Sequence, residues 1–167
     1  MNYIIRTATE EDAYELSKLK LKIWNQVYID IYPKYKFDNY DIDKNRDKFI
    51  TIMNNPNINL LVVEVDNKII GYMSYGEPYR KYKDYKQEIG LLYLDQEYPK
   101  IGLGTKLFNI AYEAIMKEYD EFFISCNKYN YNARKFYEKM GGILIHEDDD
   151  NEDKSLVQVK YLYGKKE

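Results

Sequence analysis

The sequence holds one cysteine, Cys126, and one histidine, His146, among its 167 residues. A disulfide framework within the chain is excluded, and so is a zinc site built from cysteine and histidine. No metal is expected. No apolar run approaches the roughly 20 residues that a membrane-crossing helix needs, so no membrane partner is expected. Positive charge is not in excess: 25 Lys and Arg stand against 28 Asp and Glu, for a net charge of −3. A general binder of phosphate backbones shows a basic face instead, so no nucleic-acid partner is expected. The first residues, Met-Asn-Tyr-Ile-Ile-Arg, lack signal-peptide anatomy, and a cytoplasmic location is the expectation. There is also no linker, internal repeat or low-complexity stretch, which predicts a single domain over 1–167.

What is present is ample for a core. Hydrophobic residues make up 45% and charged residues 32%, the balance of a folded soluble domain rather than a disordered chain. The 20 tyrosines carry no functional weight in bulk. Tyr3 to Arg6 is a short β-prone start. Thr9, with Asp12 three residues on, forms a variant of the capping box, and Leu16, Leu19, Ile23, Val27 and Ile31 follow at helical spacing, with Pro33 as the stop. A second helix is predicted in "FDNYDIDKNRDKFITIMNN". "PNINLLVVEVDNKIIGYMSYG" predicts two strands about a turn at Asp66–Asn67. "KQEIGLLYLD" and "EFFISC" predict strands on either side of a helix over Gly102 to Tyr119. "NARKFYEKM" predicts a compact helix stopped by Gly141–Gly142, and "GILIHE" and "SLVQVKYLY" closing strands joined by the acidic turn "DDDNED". The fold class is α+β with a mixed sheet. The acidic turn reads as a solvated hairpin end; if it overhangs the acceptor side of a site, it favours a cationic substrate.

The stretch "EYPKIGLGTKLF" sets two glycines, Gly102 and Gly104, at the mouth of a helix. Glycine is costly inside helices. The pair is either a simple turn or a backbone that approaches a phosphate, with its N–H groups and the helix dipole aimed at the anion. The dinucleotide fingerprint needs a third glycine where Leu107 stands, and "GLGTKL" lacks the Gly-Lys-Ser/Thr of a Walker loop.

"EIGLLYLDQEYPKIGLGTKLF" resembles motif A of the GNAT superfamily of acetyl-CoA-dependent N-acetyltransferases, and "NYNARKFYEKMGGILI" resembles its motif B. In the second block Asn130, Ala133, Phe136, Tyr137 and Gly141 match position by position. "IIRTATEEDAYEL" and "IWNQVYIDIYP" resemble the family's first strand and helix pair, so the likeness spans nearly the whole chain. It implies a mixed, mostly antiparallel sheet flanked by helices, with central strands that splay to form a slot for the CoA arm. It implies acetyl-CoA as co-substrate, bound by Leu92, Tyr93, Leu94, Lys100, Ile101, Gly102, Leu103, Gly104, Thr105, Asn130, Ala133 and Tyr137. One departure is Pro99, where the family carries Gln or Arg; Lys100 is the neighbouring substitute, as a point charge rather than a fork.

The implied activity is acetyl transfer to a primary amine of a small molecule, or of a peptide N-terminus or lysine. A non-catalytic module of the same fold, binding an acyl-CoA or a protein, is the alternative. Tyr137 is the candidate general acid; on helix pattern alone it is a core aromatic. Glu88 is the candidate base, and an exposed hairpin glutamate is the other reading; Glu77 is the fallback. Asn130 is a helix cap that also serves the CoA arm. Trp24, Tyr28 and Tyr32 are candidates for the acceptor wall, with a core stripe as the alternative. Cys126 and His146 are expected to be structural. A monomer or homodimer is expected.

Overall fold

The computed structural model describes residues 2–148 and 151–166. Its elements are β1 (Ile4–Thr7), α1 (Ala13–Val27), α2 (Lys34–Asp38), α3 (Ile42–Asn54), β2 (Ile58–Val65), β3 (Lys68–Gly76), β4 (Glu88–Leu94), α4 (Leu103–Met116), β5 (Glu121–Asn127), α5 (Tyr131–Lys139), β6 (Ile143–Glu147) and β7 (Gln158–Gly164). The strands form one seven-stranded sheet in the order β1-β2-β3-β4-β5-β7-β6. Every neighbouring pair is antiparallel except β4 and β5. That parallel pair needs a crossover, and α4 provides it. No helix among the described residues is long and apolar enough to cross a membrane.

Strand pattern follows burial. Asp66 and Asn67 both take positive φ, 50° and 63°, the conformation a tight hairpin turn demands and that Asn and Asp tolerate. The sheet buries both faces. On one, Leu103, Leu107, Phe108, Ala111 and Ile115 of α4 pack on Val63, Met73, Ile89, Phe122 and Ile124. On the other, Leu16, Leu19 and Ile23 of α1 and Phe49 of α3 pack on Leu60, Val62 and Tyr72. Near the chain start, Asp12 accepts the Thr9 amide at 2.8 Å and takes two bonds from Arg6, which also reaches Glu64 of β2. Thr9 caps a 3₁₀ turn at Glu10–Asp12, and α1 follows from there.

Several boundaries differ from the sequence expectation. The first helix ends at Val27, so Ile31 lies in the turn beyond it. Pro33 does not stop a helix but starts one, capping α2 with φ −65° and ψ 150°, as suits a residue that cannot donate and has φ fixed. The second long helix begins only at Ile42, where the Asp41 carboxylate accepts the Lys44 amide at 2.9 Å. After the acidic turn, Lys154–Leu156 forms a 3₁₀ turn before β7 begins at Gln158. Asp149 and Asp150 of that acidic turn lie outside the described residues.

Gly76 closes β3 with φ +136°, and a Cβ there would sit 2.2 Å from the Asn57 carbonyl oxygen. Both the backbone region and the contact exclude a side chain. Gly76→Ala should cost about 1–3 kcal/mol. Urea unfolding would check this: an unchanged midpoint would show that β3 ends without that constraint.

Candidate functional site

β4 and β5 pair over only Glu88↔Phe123 and Ile89↔Ile124. Beyond Ile89 the two strands part. The cause lies on the other edge of β4, where Ser74 pairs with Leu91 but Tyr75 pairs with Ile89. Gly90 is thus the extra residue of a β-bulge, which bends and twists its strand. From Gly90 onward β4 turns toward β3 and leaves its β5 edge without a strand partner.

The gap opens into a cavity of about 690 Å³, a size usual for small-molecule sites. Its floor is Gly90, Leu92, Tyr93 and Leu94 on one side and Ile124, Ser125 and Cys126 on the other. Pro99, Lys100, Ile101, Gly102, Leu103, Gly104 and Thr105 form one rim, and Asn130, Ala133, Phe136 and Tyr137 another. Every residue expected to bind the co-substrate therefore lines this one cavity.

Gly102 takes the left-handed conformation, φ +82° and ψ 16°, as the residue that opens α4. A side chain would meet no steric wall there but would be strained by φ. The first amides of α4 have no acceptor within the helix and point into the rim with the positive end of its dipole. Gly104 differs: a Cβ there would touch Phe136 and Leu94 at ordinary distances of 3.6 Å and 3.8 Å. Its smallness keeps the rim open rather than serving an unusual backbone.

Asn130 caps α5, its Oδ1 accepting the Ala133 amide at 3.2 Å, and its Nδ2 donates to the Tyr28 hydroxyl at 3.2 Å. Tyr137 is buried at 6% exposure and lines the cavity. No hydrogen bond holds its hydroxyl among the described residues, and no buried side-chain polar atom there lacks a partner. The hydroxyl is therefore open to the cavity. Burial pushes its pKa well above the ordinary phenol value, with Cys126, Tyr28 and Tyr163 nearby adding to the shift, so it is a protonated donor at neutral pH.

Glu88 is buried at 7% exposure, not an exposed hairpin glutamate. Its Oε1 accepts the Tyr79 amide at 2.7 Å and lies 3.5 Å from where a Cβ on Gly90 would sit. It thus stands beside the slot floor, on the face opposite α4. Burial raises its pKa above the usual carboxylate value, while the Tyr79 amide and the Lys160 charge oppose the rise. Glu77 is not brought to the slot; its carboxylate takes a bond from Asn55 beyond the end of β3.

Of the three acceptor candidates, Tyr28 lines the cavity. Tyr32 stacks on Tyr28 with ring centres 4.1 Å apart, and Trp24 meets Tyr32, Phe37 and Tyr40 edge-on. Trp24 and Tyr32 form the backing of the wall rather than its surface. Cys126 is buried, and burial pushes its thiol up to about 12, which leaves it un-ionised and inert. His146 sits 3.1 Å from Asp148 and packs beside Tyr82.

A family model described as the acetyltransferase (GNAT) family matches residues 21–142. Among solved structures, the chain is similar to PaiA N-acetyltransferase from Thermoplasma acidophilum in complex with coenzyme A. The identity is 22% and the TM-score 0.73, over 98% of this chain and 100% of that one. It is similar to an N-acetyltransferase from Staphylococcus aureus, with 22% identity and a TM-score of 0.70 over 98% and 99%. An acetyltransferase from Thermus thermophilus is 14% identical, with a TM-score of 0.74 over 98% and 97%. No curated protein sequence matches the chain.

One residue of the site was not foreseen. Asp95 follows β4 directly, and its side chain is fully buried. It takes bonds from Lys22 at 2.8 Å, Gln26 at 2.9 Å and the Glu97 amide at 3.0 Å. The Gln26 side chain also accepts the Gln96 amide at 2.9 Å. Two residues one turn apart on α1 thereby fix the start of the loop that leads to Gly102. Lys22 and Gln26 stand at helical spacing, but α1 also carries Glu15, Lys18, Lys20 and Asn25, so nothing in the sequence singled the pair out. Burial pushes the Asp95 carboxyl up, but its three donors outweigh burial and hold it below the ordinary value. A depressed pKa adds stability above the unfolded value, near 3.8, and that stability is lost as pH falls through the folded value. Asp95→Asn should cost about 1–3 kcal/mol at neutral pH, and the penalty should shrink below pH 4. Equal midpoints for the two proteins in neutral urea titrations would refute the anchor.

Proposed function

The chain belongs to the acetyltransferase (GNAT) family, and from that premise we propose that it moves an acetyl group from acetyl-CoA to the primary amine of a small molecule. The observation that carries this reading is the parting of β4 from β5 beneath a helix mouth opened by a left-handed glycine. Acetyl-CoA supplies an activated acyl group with a thiolate as leaving group. The remaining tasks fall to the chain.

The amides at Gly102–Thr105 and the dipole of α4 suit a pyrophosphate, and Lys100 adds a charge in place of the side-chain donor that Pro99 lacks. The unpaired edge of β4 offers backbone N–H groups where negative charge develops on the carbonyl oxygen. Glu88, its affinity for a proton raised by burial, takes the proton of the acceptor ammonium directly or through water. Tyr137 gives a proton to the departing sulfur. Asn130 and Ala133 border the arm, and Tyr28 borders the acceptor. A cytoplasmic location belongs to the same proposal.

The test is release of free thiol from acetyl-CoA in the presence of a panel of amines. CoA binding without thiol release from any amine would favour a non-catalytic binding module. Two variants probe the roles. Tyr137→Phe should lose roughly a hundredfold in kcat, the low end of the range for a positioned acid, because a thiol of pKa near 8.5 leaves readily without help. CoA affinity should hardly change, since the ring keeps its packing on Phe136 and Tyr161. Full kcat in this variant, measured beside a CoA titration, removes the acid role. Glu88→Gln should slow transfer to an alkylamine most at neutral pH and recover as pH rises and the free amine supplies itself. A pH–rate profile like that of the parent protein assigns the base elsewhere.

A further inference from the structure

Across the slot from α4, Lys160 has no ion-pair partner among the described residues. Lys160 of β7 lies opposite Ser125 of β5 in the antiparallel register. Its ammonium donates to Ser125 Oγ at 2.8 Å. It also lies 5.1 Å from the Tyr82 ring centre and 5.4 Å from that of Phe123. It is half-buried, and among the described residues no carboxylate comes within ion-pair distance of it. Lys22 and Arg6 are paired instead, Lys22 with Asp95 and Glu97 and Arg6 with Asp12 and Glu64. Lys20, Lys36 and Arg134 are half-buried without an ion pair as well, but Lys20 donates to Asn45 Oδ1, Lys36 lies over the Trp24 and Tyr32 rings, and Arg134 donates to the Tyr161 hydroxyl and the Lys128 carbonyl. A half-buried ammonium held by one hydroxyl and two ring faces keeps donors free for an anion.

Its position bears on the acceptor. Ser125 lines the cavity, so the ammonium is one hydrogen bond from the slot floor. Glu88 lies on the same face, since its strand neighbour Phe123 packs under Tyr82 and Tyr85 there. Glu88 and Lys160 sit two strands and two residues apart, about 12 Å between Cα atoms at ordinary sheet spacings. The Lys160 charge is felt at Glu88. Glu88 and Lys160 thus share the sheet face opposite α4 and flank the slot without lining its cavity, a carboxylate and an ammonium that together complement a molecule carrying both an amine and an anion. Among the described acids of the β6–β7 turn, Asp148 lies 3.1 Å from His146 Nε2.

We propose that Lys160, seated on Ser125, is the specificity residue of the acceptor site and recognises a carboxylate on the amine substrate. The substrate class is then amino acids or similar amino-carboxylates. This rests on the acetyl-transfer reading and sharpens its acceptor. A single ammonium with one hydroxyl matches a monocarboxylate better than a phosphate, which calls for several donors or a fork.

The experiment compares amino acids with their primary amides as acceptors, in the parent protein and in Lys160→Met and Lys160→Arg. Met keeps the stem over the rings and removes the charge; Arg restores it. Removing Lys160 also alters Glu88, and amides differ from acids in amine pKa. The readout is therefore the acid-to-amide ratio of kcat/KM, in which both effects cancel between proteins. The ratio should fall at least tenfold in Lys160→Met and return in Lys160→Arg. A ratio unchanged by Lys160→Met overturns the proposal, as does an equal or higher ratio for phosphate-bearing amines.

A binding measurement separates this from the activity itself. Calorimetric titration of the CoA-loaded protein with N-acetyl amino acids and with their amides should show the acids binding at least tenfold tighter, a gap that closes in Lys160→Met. No thiol release with any amine, together with that gap, would remove the catalytic reading and leave the carboxylate site standing. Equal or absent binding of both compounds would overturn the carboxylate site, whatever the turnover.

Discussion

The candidate site depends on one irregularity, the extra residue that Gly90 adds to β4. A parallel pair joined by a crossover helix tends to continue for the length of both strands. Here β4 stays paired with β3, through the bulge, to Gly71↔Leu94 and abandons β5 after Ile89↔Ile124. The bulge leaves little room for a side chain. A Cβ on Gly90 would stand 3.0 Å from Ser74 Oγ, a tight contact, and 3.5 Å from Glu88 Oε1, an ordinary one, so a side chain there would press on the Ser74 hydroxyl. Leaving β4 backbone groups without strand partners costs free energy unless water or a ligand meets them. The cavity between the strands is where that requirement is met, and the mouth of α4 lines the same cavity.

Two carboxylates at the ends of the same strand have opposite surroundings. Asp95 is wrapped by a lysine, an amide side chain and a backbone N–H, and is held ionised. Glu88 is buried with one backbone N–H, and its proton affinity rises. The first arrangement suits an anchor, since a fully bonded carboxylate gives up nothing during a reaction. The second suits proton transfer, since an incompletely satisfied carboxylate gains by taking a proton. Environment rather than residue type separates the two.

The order of elements was legible because each hydrophobic period is long and unmixed. α4 shows it well, with Leu103, Leu107, Ala111 and Ile115 all buried at helical spacing. The two glycine and asparagine motifs were legible as well, because helix mouths and caps are local chemistry, set by a few neighbouring residues. What could not be read is chemistry made by distant partners. Asp95 draws its donors from 69 and 73 residues away, and Ser125 meets Lys160 across 35. The turn over residues 28–33 misled for a different reason. Apolar spacing runs on through Ile31, yet Pro33 fixes φ in a way that fits a helix start as well as a stop, and pattern alone does not choose.

The aromatic wall shows how the two sides of the slot act together. Tyr28 leaves α1 and accepts a hydrogen bond from Asn130, the cap of α5, across 102 residues of sequence. Tyr32 stacks flat against it from behind, and Trp24 braces Tyr32 edge-on. The asparagine thus does two jobs with its two ends: Oδ1 fixes the first turn of α5, and Nδ2 holds the Tyr28 hydroxyl at the cavity. Tyr137 is carried by that same short helix, so the position of its hydroxyl and the position of Tyr28 share one origin. A displacement of α5 would move the Tyr137 hydroxyl and Tyr28 in concert. Asn130 makes the direct link between them, while Tyr163 and Tyr161 of β7, bonded to the Tyr137 carbonyl and to Arg134 and Glu138, tie α5 to the sheet.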